Sequence, residues 1–304
     1  ERHRSMRAVF DYSWGLLAAG ERQALAALAV LQGGFDREAA AAVAGASLPL
    51  LLALAAKSLV QRADGGRFTL HELVRQYAHA QLAASEQWVL VRDRHLAHFA
   101  ALAAAAGAGL YGAEQQQWLQ RLELEHDNLR TALEWAFAAE QEPAPAVDSA
   151  QAHPPHWRVQ TGLAAAAGIP RFWNGLGYLR EGASWLEAGL AVSNGCDPAV
   201  RAEALSVLGW LVNMLGDTPR ATALQQQSLA LFRACGDERG MAEALDALGD
   251  SAWFAGEFDA ARSYYRECLQ LRRGLDNPAA IGLALYRLGR LEVDAGSLDV
   301  AGPL

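Results

Sequence analysis

Three adjacent pairs, Leu208-Gly209, Leu248-Gly249 and Leu288-Gly289, stand forty positions apart, and no other feature constrains the fold of this chain so strongly. The same step relates Leu205, Leu245 and Leu285, then Gly216, Gly256 and Gly296, then Ala221, Ala261 and Ala301. Several columns in one register mark a structural repeat whose copies bury their apolar faces against one another. Glycine and alanine let one helix approach the next closely, and the leucines fill the interface, so the columns predict stacked helix pairs, an α-solenoid. A weaker copy is visible in GYLREGASWLEAGLAV (177–192), where Gly177 precedes Gly216 by thirty-nine positions. The copy that holds Leu288 is expected to be cut off in its second helix.

The pattern LG, six residues, G, four residues, A resembles the tetratricopeptide repeat. That repeat is about 34 residues long, so the extra positions are expected to lengthen helices or loops. A solenoid of helix pairs offers a face lined by the first helix of each pair. In the copy around Leu248, Asp246, Asp250 and Trp253 share a stripe separate from the packing leucines. Ser206, Trp210 and Asn213 occupy those positions one repeat earlier, and Tyr286, Arg290 and Val293 one repeat later. With Met214, Phe254 and Asp294 they compose a groove of aromatics and separated charges, suited to a peptide, a protein surface or a small molecule. The competing reading is that Trp210 and Trp253 pack between repeats.

Residues 1–84 read as helices followed by a hairpin and a further helix. Met6, Val9, Phe10 and Leu17 mark a first amphipathic helix; Leu25, Leu28 and Leu31 mark a second that ends at Gly33-Gly34. Asp36 and Ser47 are expected N-caps of the next two. Leu59 to Ala63, the turn Asp64-Gly65-Gly66, and Arg67 to Leu70 then form a hairpin. Short helices closed by such a wing describe a winged helix. Its reading helix would be SLPLLLALAAKSLV (47–60), in which Lys57 is the only charge. Base and phosphate contacts need basic, amide or hydroxyl side chains along one face, and a net charge of -8 adds no basic surface. Nucleic acid is therefore not the expected partner, and Arg62 and Arg67 are the only obvious basic residues of the wing.

Residues 85–160 form a helical arm. A helix is expected from Ala113 to Ala139, packing through Trp118, Leu122, Leu129, Leu133, Trp135 and Phe137, with the polar run EHDNLR in its middle. The proline-rich stretch EPAPAVDSAQAHPPH (142–156) connects it to the repeats of 161–304.

Little points to catalysis. Lys57-Ser58 matches the end of a Walker A loop, but Ala56 stands where its glycine must be, and no strand leads into a glycine-rich loop. His95 and His98, and His153 and His156, lack the spacing of a metal site, and none is expected. Cys196, Cys235 and Cys268 read as buried small hydrophobes of a reducing compartment. With no signal peptide and no apolar stretch long enough to span a membrane, the cytoplasm is expected. The first residues, ERHRSM, and the last, DVAGPL, suggest a fragment of a longer parent.

One stretch remains, RFTLHELVRQYA (67–78). His71 falls where an alternating strand pattern gives way to a helical one, a position that aims an imidazole outward and that, on the residues alone, reads as a local helix cap. The order RHRSMRAVFDYSW, LAVLQGGFDREAAAAVAG, LLLALAAKSLV, RFTLHELVRQYA and WLQRLELEHDNLRTALEWA resembles the C-terminal half of STAND proteins, the signal-transduction ATPases with numerous domains. It is most similar to bacterial regulators in which a nucleotide-binding core and winged helix precede a tetratricopeptide sensor. The resemblance implies that the winged helix folds over ADP bound by the core in a closed, monomeric state. Inducer on the sensor then releases the closure, ATP replaces ADP, and the parent oligomerises. It also implies ADP or ATP with Mg in the parent, and the core of the same protein as a partner. In NB-ARC relatives a methionine-histidine-aspartate motif sets the histidine on the ADP β-phosphate; Leu70-His71-Glu72 resembles it, with leucine and glutamate replacing its ends. Two other outcomes stay open at this point: a repeat scaffold for partner proteins, and a DNA-binding winged helix.

Overall fold

In the computed structural model, residues 10–138, 153, 156–275 and 278–296 are described. They divide into two compact units, one ending at Ala165 and the other starting at Ala166. The first contains both the expected winged helix and the arm.

After a helical turn at residues 10–15, that unit runs α1 (Ala19–Leu28), α2 (Arg37–Ala44), α3 (Leu48–Ala56), a hairpin of β1 (Gln61–Arg62) and β2 (Phe68–Thr69), and α4 (Glu72–Ala83). Met6 and Val9 of the expected first helix lie outside the described residues. The second expected helix stops at Leu28, before the glycines, and residues 29–34 cross toward the wing. Asp36 caps α2 by accepting from the Ala39 amide, whereas the Ser47 side chain makes no cap bond to α3, whose first turn already holds Pro49. Gln61 faces Thr69 and Arg62 faces Phe68 across the hairpin; its turn glycines, Gly65 and Gly66, take positive φ. Phe35 adds a third rung, exchanging both backbone hydrogen bonds with Phe68 while their rings stack 6.1 Å apart.

The arm comprises α5 (Trp88–Gly109), α6 (Gln115–Leu124) and α7 (His126–Phe137), with α8 (Trp157–Ala167) after the proline-rich stretch. The single helix expected over 113–139 is thus two helices broken at Glu125. The physical reason is that Glu125 and Asn128 are buried polar groups with partners off these helices, Arg67 for the first and Gln32 and Gly34 for the second, and the break turns them toward those partners. Farther along, Trp135 lies between two guanidiniums, Arg92 at 4.2 Å and Arg158 at 4.4 Å from its ring centre. Its indole N–H donates to Asp93, which Arg158 grips through two nitrogens at 2.6 and 3.1 Å, tying α5, α7 and α8 together.

The second unit is a ladder of helices: α9 (Pro170–Gly175), α10 (Leu179–Ala191), α11 (Pro198–Met214), α12 (Thr218–Cys235), α13 (Glu238–Phe254), α14 (Phe258–Gly274) and α15 (Pro278–Asp294). α11, α13 and α15 start forty residues apart and each spans 17 residues. Turns of two or three residues separate successive helices from α11 to α14, so the length beyond an ordinary tetratricopeptide repeat sits in the helices.

Each column has a physical function. Gly216, Gly256 and Gly296 turn the chain with φ between 72° and 92°. Ala221 and Ala261 are 1% and 0% exposed at the start of the second helices; Ala301 lies outside the described residues. A β-carbon on Gly209 would sit 2.8 Å from Gln225, and one on Gly249 would sit 2.5 Å from the ring of Tyr265, the residue forty positions after Gln225. Nothing described lies within 4 Å of a β-carbon on Gly289. Cys196 and Cys268 are buried, but Cys235 is exposed near the end of α12, a correction to the reading of all three as core residues.

If close approach is what selects glycine, the columns respond unequally to alanine. Gly249→Ala overpacks a ring that cannot retreat and destabilises the repeats by about 1–3 kcal/mol, whereas Gly289→Ala is neutral or stabilises by up to about 1 kcal/mol. Urea unfolding followed by circular dichroism decides this, and equal tolerance of both substitutions contradicts it.

Candidate functional site

His71 sits between β2 and α4, exposed, as the N-cap of the helix. Its Nδ1 accepts the Leu73 amide at 3.3 Å. An imidazole nitrogen that accepts is the unprotonated one, so the proton resides on Nε2, away from the helix. Glu72 is taken up by Arg75 and Gln76, and the Arg75 contact holds its carboxyl below the usual range. The site therefore offers a donor N–H on the positive end of a helix, suited to an anion such as phosphate.

A polar lock holds the strand that leads to His71. Asn128 accepts the Gln32 amide through Oδ1 at 2.7 Å and donates through Nδ2 to the Gly34 carbonyl at 3.1 Å and to Glu125 at 2.8 Å. His95 approaches the same Oδ1 at 3.5 Å, and since an amide oxygen only accepts, its Nε2 is the donor. Glu125 pairs with Arg67, which also donates to the Gly34 carbonyl. Sequence reasoning saw the polar run EHDNLR but not this role, because its partners stand up to 96 residues away. Arg67 is thereby turned inward, which leaves Arg62 as the wing's outward arginine and weakens the case for a nucleic-acid surface.

Burial drives the His95 pKa down from 6.5 to about 3, only partly opposed by the Asn128 bond. The unfolded chain takes up this proton near pH 6.5 and the folded chain does not. The contribution to stability is therefore whole above that pH and is lost as pH falls toward about 3.

The proposed groove residues separate into two sets. Asp246 is buried, 8% exposed, and its carboxylate accepts from Arg272 at 2.9 Å and Arg287 at 2.7 Å. Asp250 accepts from Tyr265 and from Arg287, at 3.0 Å for the latter, while burial raises its carboxyl pKa. These two carboxylates join α13 to α14 and α15, so Asp246 is corrected from a groove residue to an interior one. Trp210 and Asn213 are half-buried, and Asn213 accepts from Thr218. Trp253 donates to Asp294 at 3.1 Å, lies under Arg290 at 4.8 Å and stacks on Phe254 at 5.4 Å. Met214, Phe254 and Tyr286 are exposed, Phe254 by 76%.

An open pocket of about 580 Å³ lies along α15, lined by Tyr286, Arg290, Val293 and Asp294 with Gly282 and Gly289. It occupies the face that α12 and α14 cover in the preceding repeats, where Gln225 and Tyr265 meet Gly209 and Gly249. The stretch forty positions after the start of α14 lies outside the described residues, so the exposure of Tyr286 is not by itself a sign of ligand binding. Among the described residues no three metal-ligating side chains cluster, and no single helix is long and apolar enough to cross a membrane.

Residues 200–274 match the tetratricopeptide repeat family. Over 311 residues, 95% of this chain, the sequence is 32% identical to a protein named as an HTH-type transcriptional regulator in Mycobacterium tuberculosis, and equally to its Mycobacterium bovis counterpart. It is 25% identical over 98% of its length to the regulatory protein AfsR of Streptomyces griseus. The chain spans about a third of these relatives, 32% in each case. Among solved structures, a kinesin light chain from Podosopora anserina with nearly identical TPR-like repeats aligns with TM-score 0.49 and 14% identity, over 68% of this chain and 91% of that one. A STAND protein with a tetratricopeptide repeat sensor from Pyrococcus horikoshii aligns with TM-score 0.41 and 16% identity, over 94% and 49%. The chain is thus a helical protein with tetratricopeptide repeats, similar along nearly its whole length to transcriptional regulators.

Two measurements follow from these placements. Asp246→Ala leaves the buried Arg272 without its carboxylate and costs about 3–5 kcal/mol, whereas Phe254→Ala stays within about 0.5 kcal/mol; comparable losses would show that both belong to the interior. Between pH 7 and pH 5, above most carboxylate titration, unfolding of the unmodified chain shifts to lower denaturant, and His95→Gln flattens that slope. An unchanged slope in the variant removes His95 as its cause.

Proposed function

We propose that this chain is the regulatory and inducer-sensing part of a signal-transduction ATPase with numerous domains. The winged helix holds the parent in an ADP-bound closed state. The repeats bind an inducer or partner and so trigger ATP-dependent oligomerisation and a transcriptional output. In this reading the hydrolytic core lies in the parent outside this chain, which itself performs no catalysis. ADP or ATP with Mg belongs to that core, and the core is the winged helix's partner.

The observation that carries the reading is His71, an exposed imidazole whose Nδ1 is engaged by the backbone and whose Nε2–H is left to face an anion. ADP would supply the acceptor oxygens, and His71 is the one residue of this chain assigned to them. The similarity to regulators about three times as long fits a sensor that works with other parts. On the repeats, the exposed column of Met214 and Phe254, backed by Trp253, is the surface assigned to the inducer or partner.

In the intact parent, His71→Ala is expected to reduce co-purifying ADP roughly tenfold and to yield oligomers without inducer. Nucleotide released on denaturation, measured by chromatography, together with the mass distribution in solution, tests this. ADP retained at the level of the unmodified protein overturns the reading.

A further inference from the structure

The N-terminal unit contains a cavity of about 270 Å³ between α1, α2, α4 and the start of α5. Trp14, Val43, Leu82 and Val91 supply its apolar wall, and Arg22 and Arg94 also line it. No carboxylate is among the lining residues. Neither guanidinium makes a hydrogen bond or ion pair with another described residue, although most other acids and bases of this unit are matched. Glu21, one residue before Arg22, is taken by Lys57, and Asp93, one residue before Arg94, by Arg158 and Trp135.

Two positive groups over an apolar wall, without a counter-charge, define the chemistry of an occupant. An uncharged apolar molecule would leave the half-buried Arg22 and the exposed Arg94 to water alone, and a bare inorganic anion would leave the apolar wall uncovered. A carboxylate satisfies the planar, forked donors of arginine, and a short apolar or aromatic body satisfies the wall. The volume falls below that of sites for drug-sized ligands, so the body must be small. We propose that this cavity binds a small carboxylate with a short apolar or aromatic body. The site is separate from both His71 and the repeats, and would give the winged-helix and arm unit a ligand input of its own.

The test uses the whole chain and titration calorimetry with phenylacetate and hexanoate as probes, against phenylethanol, hexanol and inorganic phosphate. The acids are expected to bind below about 10 mM, and the alcohols and phosphate roughly tenfold more weakly or not at all. Arg22→Gln and Arg94→Gln, both at positions with solvent access and without protein partners, are expected to fold normally and weaken the acids by roughly tenfold each. Absence of acid binding up to that concentration, alcohols or phosphate binding as tightly as the acids, or acid affinity unchanged in both variants overturns the proposal. ADP retained by the intact parent carrying Arg22→Gln or Arg94→Gln, alongside lost acid binding in the chain, separates this site from the His71 reading.

Discussion

A buried amide side chain has four hydrogen-bonding positions, and in the N-terminal unit the path of the chain is arranged so that those of Asn128 are met. Its oxygen takes the Gln32 amide and faces His95; its nitrogen reaches the Gly34 carbonyl and Glu125. Leaving any of these unmade in a buried setting costs about 1–3 kcal/mol, so the four partners are held to one geometry. They come from the loop between α1 and α2, from α5 and from the junction of α6 and α7. Through Glu125 the set extends to Arg67 on the wing. A fully satisfied polar network of this kind fixes register as well as stability, because a shift of any one member strands the others.

The repeats solve a different problem, how to bring helices close along their whole length. Glycine in the LG pair removes the β-carbon that would strike Gln225 or Tyr265, and alanine opens the second helix from the other side. Where charge does enter this core, it connects neighbours: Arg287 on α15 reaches Asp246 and Asp250 on α13, and Arg262 on α14 grips Glu292 on α15 through two nitrogens. Each carboxylate has an arginine from another helix, which is the condition under which burial of charge is tolerated.

This division explains what could be read from the sequence. Columns in register reveal helices and their contacts, since small and apolar residues act locally and repeat; hence α11, α13 and α15 fall forty residues apart. His71 was legible for a similar reason, because a change of periodicity marks a joint. The stripe containing Asp246, Asp250 and Trp253 was legible as a stripe but not as a surface. Arg272 and Arg287, which draw its carboxylates inward, belong to no column and sit 26 and 41 positions from Asp246. The Glu125 break was hidden for the same reason: helix propensity is continuous there, and only partners far earlier in the chain, Gln32, Gly34 and Arg67, show why the chain turns.

The lock and the histidine share one short strand. Arg67 immediately precedes the return strand of the hairpin, Phe68 pairs with both Arg62 and Phe35, and His71 follows Thr69 by two residues. No flexible loop separates Arg67, held by Glu125 at the α6–α7 junction, from the imidazole that caps α4. On the proposed reading this matters for signalling, because a displacement of the arm that carries Glu125 must either break a buried, fully bonded set or carry the wing and His71 with it. A phosphate held by a single Nε2–H tolerates only a small change of distance and angle before the bond weakens steeply. Rigidity between lock and histidine, rather than flexibility, is therefore what would let a remote event in the arm release a nucleotide.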